Sequence, residues 1–249
     1  MSPLSRWRHP GSDTTRFIPR NSHLLLRIAC KRTGLLFRLR VIRNKPSAAA
    51  MSFRFLPDAP TAAVRLPVGH TVLLDPALRP QGTCIEVLDG VARVYCPCEE
   101  TEGMTLAFLQ AGDQLRTDRL CSEGVCVEAL TPLCFRSDAQ PRAGEGFDPV
   151  NEWTLQLLRI RHLGSAEQRL HALLGLLVVR LGRRCGNWCD LPFRLTHERI
   201  GELIGTTRVT TTRLISRIRQ AQLIEAPAGE TSMRLAPALV DTAPLLTAA

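Results

Sequence analysis

Residues 206–222 combine four arginines and several hydroxyl side chains with no carboxylate. Arginine donates paired hydrogen bonds to guanine edges and to phosphates, and short side chains allow close approach to a groove. This set of residue types therefore predicts recognition of the DNA major groove. In a helical projection one face of the segment holds Arg208, Val209, Thr212, Arg213, Ser216 and Arg219.

The surrounding residues predict a helix-turn-helix over 195–223. Thr196 is expected to cap a first helix, and Gly205 is expected to end it, since a positive φ is often needed there. Thr206 is expected to cap the second helix. The apolar positions of the first helix are Ile200, Leu203 and Ile204, and those of the second, within an arc of about 120°, are Leu214, Ile215, Ile218 and Ala221. An ordinary amphipathic pair with a solvated basic face is the alternative, but the caps, the glycine and the lack of acids together favour DNA binding.

Residues 62–137 predict a β domain, because short apolar runs of period two are separated by glycines. Four segments show the pattern: AVRLPVGHTVLL, CIEVLDGVARVYC, MTLAFL and CVEALTPLCF. Within the second segment, Asp89 and Gly90 are expected to form a two-residue hairpin turn. Regular short strands of this kind predict a sandwich or a barrel.

Residues 138–149 form a linker rich in Pro and Gly, after which the period changes to that of helices. A first helix is expected over 151–163, with one apolar stripe of Trp153, Leu155, Leu158 and His162.

Ser165 and Gln168 form a capping box that is expected to open a second helix, which ends near Leu181. Its apolar positions are Leu170, Leu173, Leu174, Leu177, Val178 and Leu181. Residues 182–195 are expected to connect this helix to the helix-turn-helix. Residues 223–237 predict two short strands around 227–229, which would form a β-hairpin wing.

The order of these elements resembles that of the CRP/FNR superfamily of bacterial transcription regulators, over about residues 62–240. The most specific match is ERIGELIGTTRVTTTRLISRIRQAQLI, which is similar to the family's DNA-binding signature, whereas VLDGVARVY and the AGD at 111–113 match the family's β-roll more loosely. The resemblance implies an α+β chain with an N-terminal β-roll (a jelly roll of the cyclic-nucleotide-binding type), a long dimerisation helix and a C-terminal winged helix-turn-helix. The expected domains are a basic leader at 1–50, a sensor-like β-roll at 51–148, dimerisation and connecting helices at 149–183, and the winged helix-turn-helix at 184–249.

The segment RVTTTR at 208–213 is similar to the recognition helix of the cyanobacterial nitrogen-control branch of that family. In the cAMP-receptor branch a glutamate occupies the position of Val209, so a carboxylate that could accept from cytosine is missing here. The resemblance implies a homodimer that places two recognition helices in successive major grooves, about 34 Å apart, on a palindromic duplex of the GTA…TAC type.

Within that resemblance each DNA-facing residue has an expected role. Arg208 and Arg213 are expected to contact base edges and Val209 a thymine methyl group. The residues expected to position the DNA backbone are Thr196, Thr206, Thr207, Thr212, Arg217 and Arg219.

The β domain lacks a complete phosphate-binding cassette of the kind found in cAMP-binding members of the family. Residues 111–130 retain Arg116, Thr117 and Arg119 but not the family's Gly-Glu pair or its full helix. We therefore expect a degenerate effector domain that does not bind cAMP, and the oxoglutarate motif of the nitrogen-control branch is not recognisable either. The sequence leaves open the effector and the choice between repressor and activator, and an activator would have RNA polymerase as a further partner.

The nine cysteines raise the alternative of a metal- or redox-responsive regulator. No Cys-x2-Cys pair and no histidine-linked zinc spacing is present, and Cys30 alone precedes Cys84, whereas the family's oxygen sensors have an N-terminal cluster. We expect buried thiols and neither a metal nor another cofactor. The thiols that this alternative would use are Cys96, Cys98, Cys121, Cys126, Cys134, Cys185 and Cys189.

A cupin-like metal enzyme is a second alternative, because cupins are also β-barrels. It would need clustered histidines, but His70 is the only histidine of the β region, and Glu99, Glu100 and Glu102 are expected in a solvated turn. No nucleophile elbow or phosphate loop is present, so we expect no enzymatic activity. A protein-interaction module that no longer binds DNA is a third alternative, which the arginine-rich face disfavours.

The net positive charge of the chain is concentrated in its first 50 residues. Residues 1–50 hold eleven Lys and Arg, including both lysines, and one acid, whereas the remaining residues hold 21 arginines and 22 acids. We expect a leader that is either disordered or precedes a true start at Met51, and a basic tail that adds non-specific affinity for nucleic acid is the alternative. The longest apolar run, at 173–179, is far shorter than the roughly 18 residues of a membrane span, and no secretory signal stands out, so the sequence predicts a cytoplasmic protein without membrane contact.

Overall fold

The computed structural model describes residues 24–29, 36–41, 63–74, 84–97, 103–116, 120, 125–139, 148–226 and 231–241. Its strands are β1 (Leu24–Ala29), β2 (Leu36–Val41), β3 (Ala63–Leu66), β4 (Thr71–Leu74), β5 (Cys84–Asp89), β6 (Val91–Cys96), β7 (Met104–Gln110), β8 (Gln114–Arg116), β9 (Val125–Ala129), β10 (Leu133–Ala139), β11 (Arg183–Cys185), β12 (Trp188–Leu191), β13 (Ile224–Glu225) and β14 (Met233–Leu235). Its helices are α1 (Pro149–Arg161), α2 (Ala166–Leu181), α3 (His197–Ile204), α4 (Arg208–Gln220) and α5 (Pro237–Asp241). In the leader, β1 and β2 pair in antiparallel fashion; Met51 lies outside the described residues.

Two four-stranded antiparallel sheets form the β-roll, with strand orders β3-β10-β5-β8 and β4-β9-β6-β7. Alternate side chains of each strand point between the sheets, and the apolar ones among them are buried in one core. Val94 on β6, for example, lies opposite Ala107 on one side and Val127 on the other. The architecture of β-roll, helices and C-terminal winged helix-turn-helix confirms the expected α+β class.

The prediction of a hairpin turn at Asp89 and Gly90 is wrong. Strand β5 pairs with β8 and β10, whereas β6 pairs with β7 and β9, so the chain crosses from one sheet to the other at this point. Gly90 has a φ of 87°, and a Cβ there would lie 2.1 Å from the carbonyl oxygen of Pro132. A sharp corner between sheets and a two-residue hairpin both need a residue with positive φ, so an Asp-Gly pair fits either one.

The expected strand AVRLPVGHTVLL is also divided between the two sheets. Strand β3 belongs to the first sheet and β4 to the second, and residues 67–70 turn between them. The same crossing occurs between β9 and β10. The sequence therefore predicted correctly which segments form strands. It did not predict which strands pair, because pairing depends on how the two sheets pack and not on the local pattern.

Helix α1 begins two residues earlier than expected. Asp148 caps it by accepting a hydrogen bond of 3.0 Å from the amide of Val150. The expected single stripe is wrong, because Trp153 is buried while Leu155 and Leu158 are 46% and 50% exposed. The side chains that α1 buries are on the other face, at Trp153, Gln156, Leu157 and Ile160.

The predicted capping box and apolar stripe of helix α2 are both confirmed. The hydroxyl of Ser165 accepts from the amide of Gln168 at 3.1 Å, and the Gln168 side chain accepts from the amide of Ser165 at 3.2 Å. All six apolar positions named above are buried. The expected capping box and stripe therefore both exist.

The wing is part of a larger sheet than expected. Strands β13 and β14 pair in antiparallel fashion. Residues 227–230, which include the expected turn at 227–229, lie outside the described residues. Residues 182–195 are more than a connection, since β11 and β12 form a hairpin with Gly186 at a φ of 57°. Together these strands form a sheet of order β11-β12-β14-β13.

Aromatic contacts join the β-roll to the C-terminal half. Phe108 on β7 lies with its ring centroid 5.2 Å from that of Trp153 on α1 and 6.1 Å from that of Phe193, which precedes α3. The Thr154 hydroxyl donates to the carbonyl of Leu106 at 3.2 Å. Helix α1 thus covers the outer face of the second sheet at Leu106 and Phe108. None of the described helices has the length and apolar character needed to cross a bilayer.

Candidate nucleic-acid interface

Helices α3 and α4 form the expected helix-turn-helix. The hydroxyl of Thr196 accepts from the amide of Arg199 at 3.1 Å and so caps α3, as predicted. Helix α4, however, is capped by Thr207, whose hydroxyl accepts from the amide of Thr210 at 3.2 Å. The prediction that Thr206 is the cap is wrong by one residue, because α4 begins at Arg208 and Thr207 directly precedes it. The amide of Thr206 instead donates to the carbonyl of Gly201 at the end of α3, at 2.8 Å.

Two glycines fix the angle between the helices. Gly205 ends α3 with φ 62° and ψ 50°, the left-handed conformation that was expected. Gly201 packs directly against the turn and α4, since a Cβ there would lie 2.8 Å from the carbonyl oxygen of Thr206 and 3.1 Å from the Thr211 hydroxyl. The turn therefore depends on one glycine for its φ and on the other for its lack of a side chain.

Helix α4 separates its faces as the sequence predicts. The expected groove-facing side chains, together with Arg217, are exposed, and Val209 is 61% exposed. Leu214, Ile215 and Ile218 are buried as expected. Ala221 is exposed, contrary to prediction, because it forms the C-terminal cap, and Thr211 takes a buried position with its hydroxyl donating to the carbonyl of Thr207 at 3.1 Å.

His197 lies at the same surface, although it was not among the predicted residues. It is the first residue of α3, and its Nδ1 is 2.9 Å from the hydroxyl of Thr212 on α4. Burial, followed by the charges of Arg219, Arg208 and Arg194, lowers the pKa of this imidazole. Its position directly after a helix cap was the available signal, because the first residues of a helix-turn-helix lie against the DNA backbone.

A network of buried charges holds α3 against the β-roll. Arg93 on β6 is 1% exposed; it donates to the Thr105 hydroxyl at 2.8 Å and to Glu128 at 3.3 Å. The other oxygen of Glu128 accepts from Arg199 of α3 at 2.7 Å. Glu202 of α3 accepts from the Thr105 hydroxyl at 2.9 Å. The expected DNA-binding unit is therefore joined to the sensor-like domain by ionic hydrogen bonds.

Two residues of the network, Arg93 and Glu202, have shifted pKa values. Burial and then the charge of Arg199 lower the pKa of Arg93, and Glu128 and Glu202 oppose this effect. Burial raises the pKa of Glu202, while its hydrogen bond from Thr105 and the charge of Arg93 oppose the rise. In both Arg93 and Glu202, burial disfavours the charged form and the oppositely charged partners favour it.

Arginines from the two connecting helices bind the C-terminal end of α3. Arg161 of α1 donates to the carbonyl of Leu203 at 3.3 Å and also to that of Glu202. Arg169 of α2 donates to the carbonyl of Gly205 at 3.5 Å. Cations at this end satisfy free carbonyls and oppose the negative end of the helix dipole. The orientation of α3 is thus linked to α1 as well as to the β-roll.

The thiols within the described residues do not form a cluster. Burial raises the pKa of Cys126 to about 11 and also raises that of Cys189, which disfavours the thiolate form. In the part of the chain that the structure describes, no three His, Cys, Asp or Glu side chains are arranged to hold a metal ion. Several residues named in the sequence analysis for a metal site, a carboxylate turn or a phosphate-binding cassette lie outside the described residues. They are Cys30, Cys98, Glu99, Glu100, Glu102, Thr117, Arg119 and Cys121.

Family models and relatives match both halves of the chain. The model of the cyanobacterial CRP family N-terminal domain matches residues 64–150, and that of the Crp-like helix-turn-helix domain matches residues 168–237. The chain is 31% identical to the regulatory protein CysR of Synechococcus elongatus over 170 residues, which cover 65% of this chain and 82% of that protein. It is 36% identical to the global nitrogen regulator of Nostoc sp. over 73 residues, which cover 29% and 31% of the two chains.

Solved structures share the fold at lower identity. A transcriptional regulator of the CRP/FNR family from Thermus thermophilus matches with a TM-score of 0.54 and 18% identity, over 74% of this chain and 100% of that one. FixK2 from Bradyrhizobium japonicum matches with a TM-score of 0.55 and 15% identity, over 76% and 99% of the two chains.

Proposed function

Because this chain belongs to the CRP/FNR family of transcription regulators and binds DNA through its helix-turn-helix, we propose that it binds a palindromic operator as a homodimer. The observation that carries the proposal is the exposed, acid-free face of α4, which bears Arg208, Arg213 and Arg219, whereas Leu214, Ile215 and Ile218 are buried on the opposite face. Such a face matches the negative potential and the acceptor-rich edges of a major groove.

The proposed contacts divide α4 into a base-contacting part and a backbone-contacting part. Arg208 and Arg213 donate to guanine edges, and the exposed Val209 packs against a thymine methyl group. Around them, hydroxyls and arginines bind phosphates and fix the register of the helix on the duplex. The backbone-contacting set is Thr196, Thr206, Thr207, Thr212, Arg217 and Arg219.

We propose that helix α1 forms the dimer contact. One face of α1 packs on the β-roll through Trp153, while Leu155 and Leu158 on another face remain about half exposed. Asn151 and His162 extend that exposed face at spacings of four residues, which gives the alternation of three and four found along a coiled-coil seam. A second copy of α1 would bury both leucines and place the two helix-turn-helix units symmetrically.

We propose further that the β-roll does not bind cAMP, that the protein has no enzymatic activity, and that it acts in the cytoplasm, where its DNA partner lies. The first statement is supported by the incomplete phosphate cassette at residues 111–130. The second is supported by membership of a family of regulators.

Selection of duplexes from a random pool by the full-length chain tests the proposed function. The expected product is a palindrome with half-sites of the GTA…TAC type, spaced by one helical turn. Enrichment of an unrelated sequence without two-fold symmetry would contradict the proposal.

A further inference from the structure

The hydrogen bonds around His197 define which ring nitrogen carries a proton. The hydroxyl of Thr212 donates its single hydrogen to the carbonyl of Arg208, at 2.9 Å. Its oxygen therefore accepts from Nδ1 of His197, which is 2.9 Å away. In the neutral ring Nε2 then carries a lone pair and cannot donate a hydrogen bond to an anion.

The charged groups that face His197 are cations. Arg208 and Arg219 approach it from α4, and Arg194 approaches it from the segment that precedes α3, while the neighbouring Glu198 is exposed on α3 itself. Burial and these three charges hold the pKa of His197 below its usual value, so that the ring is neutral at pH 7 in the DNA-free protein. The same arginines belong to the surface that bears the proposed DNA contacts.

We propose that His197 takes up a proton from solvent when DNA binds and then donates from Nε2 to a backbone phosphate. The inference rests on the proposed DNA-binding role of the α4 face. Phosphates introduce negative charge beside the arginines, so they favour the imidazolium form that the free protein disfavours. The protonated ring keeps its Nδ1 bond to Thr212 and gains a second donor, so His197 becomes a pH-dependent backbone contact.

Proton uptake makes the affinity for DNA dependent on pH. If each half-site binds up to one proton, Kd falls by up to about tenfold per half-site for each pH unit of acidification, between the pKa of the free form and that of the bound form. The proposed contact of His197 is with the DNA backbone, so the same dependence of Kd on pH is expected for operator and random duplexes.

Two variants isolate the effect in the full-length chain. His197→Asn retains a side-chain donor for Thr212 but does not titrate in this range, and His197→Arg carries a permanent charge. The Kd of each protein is measured between pH 5.5 and 8 at constant ionic strength, on the duplex that wild type selects from a random pool and on a duplex of random sequence. Wild type is expected to bind more tightly at low pH, with a steeper slope than either variant. The affinity of His197→Arg is expected to exceed that of wild type by the largest factor at pH 8, where the wild-type ring takes up a proton least readily.

Calorimetry of wild type in two buffers with different ionisation enthalpies measures proton uptake without any variant. Uptake of a proton per half-site near pH 7 supports the inference. Equal slopes for wild type and a folded His197→Asn, or no uptake by wild type, would overturn it while leaving the DNA-binding proposal intact. Absence of wild-type binding to either duplex at every pH would instead overturn the proposed function.

Discussion

The carboxylate of Glu128 accepts a hydrogen bond of 2.7 Å from Arg199 and so joins strand β9 of the β-roll to helix α3. The same carboxylate accepts from the buried guanidinium of Arg93 at 3.3 Å. Arg93, Phe108 and Glu128 lie side by side on three neighbouring strands, on the sheet face that the helices cover. A change inside the β-roll that displaces this row would therefore be transmitted to α3 through direct contacts.

The first prediction concerns the charge of Glu128. Glu128→Ala should reduce the free energy of unfolding by about 3–5 kcal/mol, because it removes the buried carboxylate to which both Arg93 and Arg199 donate. Urea denaturation followed by circular dichroism measures the change. The exposed Glu225→Ala serves as the control and should stay within about 0.5 kcal/mol of wild type. Equal effects of the two variants would show that the network contributes little.

The second prediction concerns the helix crossing at Gly201. Gly201→Ala should lower both thermal stability and DNA affinity, because a Cβ at 2.8 Å from the Thr206 carbonyl forces α3 and α4 apart. Gly164→Ala is the matched control, since the nearest atom to its Cβ would be the flexible end of Gln168 at 3.7 Å. Thermal unfolding and fluorescence anisotropy with labelled duplex measure both effects. A Gly201→Ala protein that melts and binds like the control would contradict the close approach.

The third prediction concerns the exposed leucines of α1. Leu155→Asp combined with Leu158→Asp should convert a dimer into a folded monomer, because four carboxylates would face one another at the proposed contact. Sedimentation equilibrium measures the mass, and the circular dichroism spectrum should remain that of wild type. Val179→Asp, at a 69% exposed apolar position on α2, should leave the dimer intact. Dimerisation of the double variant would place the contact elsewhere.

The fourth prediction follows from the lowered pKa of His197 in the DNA-free protein. The unfolded chain binds the proton more readily than the folded one, so His197 reduces stability as the pH falls below its unfolded value of about 6.5. Wild type should therefore lose more thermal stability than His197→Asn between pH 7 and pH 5. Melting curves of both proteins without DNA measure this difference, and parallel losses would contradict it. The sign is opposite to that expected for DNA affinity.

Patterns confined to a few neighbouring residues predicted much of the fold. The capping box at Ser165, the left-handed Gly205 and the two faces of α4 depend on hydrogen bonds and periodicity within one or two turns, so the sequence shows them directly. The cap of α4 was misplaced by one residue, because Thr206 and Thr207 offer the same hydroxyl. The start of α4 at Arg208 decides between them, because it places the hydroxyl of Thr207 within reach of the amide of Thr210.

Features that depend on distant residues were not predictable in this way. Arg93 and Glu128 are charged residues, a type that usually faces solvent on a strand, yet they are buried because α3 covers them. Leu155 and Leu158 are of a residue type that is common in cores, but their side chains are about half exposed. Asp89 and Gly90 mark a corner without showing which strands pair beyond it. In each case the decisive partner is far away in sequence, so local period and turn chemistry do not identify it.

The central claim, that the exposed face of α4 recognises DNA bases, is tested most directly by comparing Arg208→Ala with Arg219→Ala. Both are measured against the operator that wild type selects and against a set of duplexes with each base pair changed in turn. Arg208→Ala should cost about 1–3 kcal/mol and lose the preference at one base pair per half-site, whereas Arg219→Ala should weaken binding to all duplexes equally. If Arg208→Ala instead weakens every duplex by the same factor and leaves each base preference unchanged, Arg208 does not recognise a base and the claim is contradicted.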